Sequence, residues 1–225
     1  MVSLYLDGAD IASLDHYSGD HRIHGYTTNP SLMKKAGITD YKTFAAQVLH
    51  IVAGKPVSFE VLTDDLGSME KQARRISEWG MNVYVKIPIT NTNGEFTCNL
   101  IERLQKDGIA VNVTAILTMR QIDMVRDVMN KGIVSIFAGR IADTGRDPMP
   151  TIRYAKEMNK EPNVSILWAS PREVLNVYQA EEAGADIITL TPDLIGKLSL
   201  YGKPLNDYSL ETVRMFYNDG LGVKL

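Results

Sequence analysis

The chain has 225 residues, enough for one large α/β domain, and its 24 Lys plus Arg against 27 Asp plus Glu leave a formal net charge of −3. That balance excludes a global field for capturing nucleic acid or an anionic membrane, so any anion site must be built locally. One cysteine, Cys98, excludes an internal disulfide, and no apolar run approaches the roughly 20 residues needed to span a bilayer, so a cytoplasmic enzyme-like chain is the expectation.

In chain order, the N-terminus "MVSLYLDGAD" lacks a basic segment and reaches an aspartate at Asp7, which predicts a first strand over 2–6 and no cleaved leader. Further strands are predicted at 23–27, 57–61, 82–87, 110–114, 133–137, 164–168 and 186–190, where short β-branched and aromatic runs occur. Helical spacing fills the intervals. "TDDLGSMEKQARRISEWG" carries Leu66, Met69, Ala73, Ile76 and Trp79, and "TMRQIDMVRDVMNKG" carries Met119, Ile122, Val125 and Met129 before Gly132. Eight strands alternating with helices predict a single (β/α)8 TIM barrel over 1–225, with a C-terminal helical segment at about 205–219. An open doubly wound sheet is the alternative, weakened because no G-x-G-x-x-G follows the first strand and no G-x-x-x-x-G-K-[ST] occurs.

"NVYVKIPIT" puts Lys86 inside a strand. Side chains two apart share a face, so Val83, Val85 and Ile87 point to the helices while Tyr84 and Lys86 point inward. The same rule sends Ser58 with Glu60, and Asn112 with Thr114, to the interior, and Asp7, Thr27, Asn29, Ser135 and Phe137 fall late in or just after their strands. The C-terminal mouth of a barrel is where such enzymes hold their chemistry. A lysine in a partly desolvated pocket can attack a ketone and form a Schiff base, an electron sink for carbon–carbon cleavage. Glu60 then suits the proton transfers of imine formation, Asp7 suits the hydroxyl proton released on cleavage, and Asn29 and Asn112 suit sugar hydroxyls. Blander readings exist: Lys86 snorkelling from a strand end or paired structurally with Glu60, and Asp7 as a turn or cap residue before Gly8.

Two stretches suit an anion. In "LWASPREVLNVYQAEEAG", Ser170 reads as a helix N-cap with Pro171 at N1 and Glu173 at N3, a capping box whose free N–H groups, with Arg172 beside them, would receive a phosphate. In "SIFAGRIADTGRDP", Arg140 leaves strand six at the same mouth and would add a second guanidinium, unless it pairs with Asp143 on the surface.

"TTNPSL", "SFEV", "VKIPIT", "VNVTAI", "SIFAGRI" and "ILWASPR" stand in the order and spacing of the transaldolase family, so the chain resembles its compact members, in company with the fructose-6-phosphate aldolases, from residue 4 to about 196. The resemblance implies a (β/α)8 class I enzyme with Lys86 as the Schiff-base lysine, Asp7 as acid/base for the cleaved hydroxyl, and Glu60, with Thr114, at the catalytic water. It also implies that Thr27, Asn29, Asn112, Thr114 and Ser135 line a dihydroxyacetone pocket and that Arg140, Ser170 and Arg172 take the phosphate. No cofactor or metal is implied. The implied partners are sugar phosphates, with no nucleic acid or membrane, and compact relatives suggest a homo-oligomer by analogy. The family's phosphate motif usually reads A-S-F-R, whereas here Pro171 replaces the aromatic and Trp168 precedes it.

Glu60 and Phe137 match the transaldolase pattern, while the fructose-6-phosphate aldolases resemble one another in having Gln and Tyr there. The expected reaction is transfer of a dihydroxyacetone unit from a ketose phosphate, such as fructose 6-phosphate or sedoheptulose 7-phosphate, to an aldose phosphate. A stand-alone aldolase of the same type and a non-catalytic sugar-phosphate-binding barrel are the alternatives.

Overall fold

The computed structural model describes residues 1–223. Its strands are β1 (Ser3–Asp7), β2 (Ile23–Thr27), β3 (Val57–Glu60), β4 (Val83–Pro88), β5 (Val111–Ile116), β6 (Gly132–Ile136), β7 (Val164–Trp168) and β8 (Ile187–Leu190). They pair in parallel in sequence order and close, β8 against β1, into one barrel. The helices are α1 (Ile11–His16), α2 (Pro30–Lys35), α3 (Tyr41–Val52), α4 (Leu66–Ser77), α5 (Cys98–Lys106), α6 (Met119–Arg126), α7 (Ala138–Ala142), α8 (Met149–Met158), α9 (Leu175–Glu182), α10 (Pro192–Lys197) and α11 (Leu205–Gly220). The predicted closed barrel is therefore the fold, not the open sheet.

Strand alternation divides the apolar residues into two cores. Outward residues such as Leu6, Phe59, Val85, Val113, Ile136 and Trp168 join the helices in a large outer core. Phe59 packs edge-on to Tyr41, Phe44 and Trp79, which clamps α3 and the end of α4 to β3. Inward residues Tyr5, Ile133, Leu167, Ala169 and Ile187 form a second, smaller core that plugs the barrel, with Tyr84 and Phe137 against it. Gly25 makes room for that plug: a Cβ there would lie 2.4 Å from the Tyr5 ring. Burial pushes the Tyr5 hydroxyl up to about 12, so it stays neutral beneath the mouth.

Above the plug the interior turns polar. Asn112 donates to the Ser58 hydroxyl at 3.0 Å and accepts from Ser135 at 2.7 Å, bracing β3, β5 and β6 from within. These three side chains are buried, and each hydrogen bond satisfies groups that would otherwise be costly to desolvate. The brace fixes the strand ends that carry the site. No helix of the described residues is long and apolar enough to cross a membrane.

Candidate active site

Asp7 ends β1, Thr27 ends β2, Glu60 ends β3, and Lys86 lies on β4 beside it, the pairing register setting Asp7 against Thr27 and Glu60 against Lys86. All four line one cavity of about 330 Å³ at the C-terminal mouth, within the range usual for small-molecule sites. Asn29, Thr114, Ser135, Phe137, Arg140 and Ser170 line it too, and so does Thr189.

Lys86 is buried, and its Nζ lies 3.0 Å from a Glu60 carboxylate oxygen and donates to the Thr28 carbonyl at 2.9 Å. Snorkelling is therefore excluded; the amine is held inside. Asp7 accepts from the Thr27 hydroxyl at 2.8 Å. Desolvation raises the pKa of Asp7, opposed in part by the Lys86 charge and by hydrogen bonds from Thr27 and Asn29. Asn29 is the N-cap of α2, its side-chain oxygen accepting from Leu32 N–H at 3.0 Å, which leaves its amide N–H groups for Asp7 and the cavity. The Thr114 hydroxyl is buried with no protein hydrogen-bond partner among the described residues, so it is available to a bound molecule. The backbone leaves the pleat directly afterwards, with Ala115 at φ 62° and the β5–β6 register shifting between Val113 and Ile116.

Three predicted site residues sit differently from expectation. Asn112 lies below the cavity lining, its amide engaged by Ser58 and Ser135, so it acts on the pocket through Ser135. Ser170 does not cap a helix. Its φ of 61° is left-handed rather than extended, and α9 starts only at Leu175. The N-cap of α9 is Val174, with no side-chain cap, and Asn176 in the first turn of the helix ties down the segment before it, its side-chain oxygen accepting from the N–H groups of Arg172 at 2.7 Å and Glu173 at 3.2 Å. The cause is a close approach between chain segments: Gly139 runs so near the Ser170 carbonyl that a Cβ would fall 1.5 Å from it. The first turn of α7 and the segment after β7 are packed together ahead of α9. Arg172 is engaged by Asp143 through Nε and Nη2, and its guanidinium lies outside the cavity lining. The expected surface partner of Arg140 thus belongs to Arg172, while Arg140 lines the cavity with its guanidinium 5.6 Å from the centre of the Phe137 ring. The sequence reading missed Thr189. Period-two alternation along "IITL" would have found it, since Ile187 faces the inner core and Ile188 the outer one.

A buried lysine against a carboxylate, a second carboxylate lining the same cavity, and an arginine at its rim make up the candidate site. The family described as Transaldolase/Fructose-6-phosphate aldolase matches residues 4–220. The chain belongs to that family. The match runs beyond residue 196, where the resemblance was expected to end, and takes in α11. A probable transaldolase of Dehalococcoides mccartyi is 33% identical over 92% of this chain and 93% of its own length. A probable transaldolase of Nitrosopumilus maritimus is 34% identical, with 93% of this chain and 92% of that protein covered. Among solved structures, 3-hexulose-6-phosphate synthase from Salmonella typhimurium superposes with a TM-score of 0.62 at 13% identity, covering 84% of this chain and 89% of that one, which is a likeness of fold alone.

Proposed function

We propose that this member of the transaldolase/fructose-6-phosphate aldolase family is a transferase that moves a dihydroxyacetone unit from a ketose phosphate, such as fructose 6-phosphate or sedoheptulose 7-phosphate, to an aldose phosphate through an imine on Lys86. The observation that carries the reading is the buried Lys86 amine, 3.0 Å from Glu60 and sharing one cavity with Asp7. A proton passed from the ammonium to Glu60 leaves the nitrogen lone pair free to attack the donor ketone. Glu60 returns that proton as the carbinolamine loses water. Thr114, buried and without a protein partner among the described residues, suits the departing water.

Cleavage follows from the imine. Asp7 takes the proton of the C4 hydroxyl, the C3–C4 bond breaks, its electrons pass into the iminium, and an aldose phosphate leaves. A carboxylate whose pKa is raised by burial is a better base for this step than an exposed one. The enamine left on Lys86 attacks the acceptor aldehyde, and Asp7 gives its proton to the new hydroxyl. Arg140, at the rim of the cavity, suits the phosphate.

Transfer is favoured over simple aldol cleavage because Phe137, at the cavity wall, has no hydroxyl to help water protonate the enamine. The test is to incubate the protein with fructose 6-phosphate and a panel of aldose phosphates and to weigh the products. Transfer predicts new ketose phosphates that depend on the acceptor and little free dihydroxyacetone without one. Rapid release of dihydroxyacetone in the absence of acceptor would make the protein an aldolase instead.

A further inference from the structure

Thr189 is buried on β8, lines the cavity, and is assigned no part in the reaction described above. Its hydroxyl oxygen lies 2.5 Å from that of Thr27, which is itself 2.8 Å from Asp7. Proton counting orders this chain. An ionised carboxylate only accepts, so the one Thr27 proton goes to Asp7, and the Thr27 oxygen must then accept from Thr189. The three groups come from three adjacent strands, β8, β1 and β2, whose pairing closes the barrel.

We propose that Thr189 is a positioning residue for Asp7: by donating to Thr27 it strengthens the hydrogen bond that Asp7 receives, and so sets the aim and the basicity of the carboxylate that takes the substrate hydroxyl proton. A hydroxyl that accepts a hydrogen bond becomes a stronger donor, so Thr189 strengthens the Thr27 bond to the ionised carboxylate. Without Thr189 the Thr27 oxygen loses its donor, and the Thr27 hydroxyl, a weaker donor, is held less firmly against Asp7. The other groups facing Asp7 are Asn29 at the start of α2, Glu60 on β3 and Lys86 on β4. Asp10, Lys35 and Asp193 line an adjoining cavity that Asp7 also borders. Thr189 removes no charge from this set when substituted. Its effect is therefore separable from theirs.

The inference rests on the reading of Asp7 as the proton acceptor. The experiment is the pH dependence of single-turnover donor cleavage, with fructose 6-phosphate and the full-length protein, for wild type, Thr189→Val, Thr189→Ser and Asp7→Asn. Thr189→Val should move the acid limb up by roughly half to one pH unit, the size expected for one weakened hydrogen bond to a carboxylate. Thr189→Ser, which keeps the hydroxyl, should leave the limb in place. In a Thr27→Val background, Thr189→Val should no longer move it, because the path to Asp7 is already cut. If Thr189→Val does not fold, Thr189→Ala gives the same reading. An unmoved limb with a uniform loss of rate in Thr189→Val, or Thr189→Ser behaving like Thr189→Val, would overturn the inference. If Asp7→Asn cleaves the donor as fast as wild type, the reading of Asp7 fails instead.

Discussion

At the residue scale, the two carboxylates serve different protons, and their variants should stall at different points. Asp7→Asn should let the imine form and then block scission, whereas Glu60→Gln should slow imine formation itself, each by about 10²–10⁴-fold as is usual for the loss of a general acid/base. Single-turnover measurement of imine accumulation against aldehyde release checks this, and the opposite pattern would reverse the two assignments. Asp7 also has a cost for the fold. Its pKa is raised by desolvation, so the stability it contributes is present below the ordinary carboxylate range and is lost as pH rises through the folded-state value. Asn, neutral throughout, should therefore give a higher Tm than wild type at neutral pH, with the gap closing in acid; a gap independent of pH would contradict this. The two arginines differ as well. Arg140 lines the cavity, while Arg172 is engaged by Asp143, whose carboxylate it holds below the usual range. Arg140→Ala should raise KM for phosphorylated substrates by about 10–100-fold, the loss of one charge-assisted contact, and Arg172→Ala should raise it less. Comparison with unphosphorylated substrates checks both, and equal losses on the two substrate types would remove phosphate from the role of Arg140.

At the element scale, α7, directly after β6, and the loop after β7 hold each other. Gly139 N–H donates to the Ala169 carbonyl at 3.3 Å, and the space beside the glycine is filled by the Ser170 backbone. Gly139→Ala forces backbone against backbone, so it should destabilise the protein by about 1–3 kcal/mol and weaken phosphate binding along with it. Thermal unfolding and KM should move together; a wild-type Tm would contradict the packing argument. This contact also explains what was and was not legible in the sequence. The eight strands and the inward side of each were readable because period-two alternation is a local property, and Lys86 stood out against it. The Ser170 cap was misread because the left-handed turn there packs against Gly139, a residue distant in sequence. The Arg172–Asp143 pair escaped for the same reason: it depends on which segments the barrel brings together. Thr189 was within reach of the alternation rule, and only its hydroxyl-to-hydroxyl contact with Thr27 required the closed barrel.

At the scale of the whole molecule, α11 stands apart from the barrel. It runs from Leu205 to Gly220 with no buried residue, and Tyr208, Val213, Phe216 and Tyr217 are all exposed. So much apolar surface on one helix exceeds what a solvated element carries without a partner. We propose that a second copy of the chain covers it, giving the homo-oligomer that the family resemblance suggests by analogy. Phe216→Glu should then shift sedimentation toward smaller species, while a monomer in both proteins at micromolar concentration would exclude that use of the helix.

The central claim, an imine on Lys86, is tested most directly by borohydride reduction of the enzyme in the presence of fructose 6-phosphate, followed by peptide mass analysis. The adduct should be a glycerol-like mass increase on the peptide containing residues 82–90, and Lys86→Met should abolish it. An adduct on another peptide, or none with any ketose phosphate, would contradict the account.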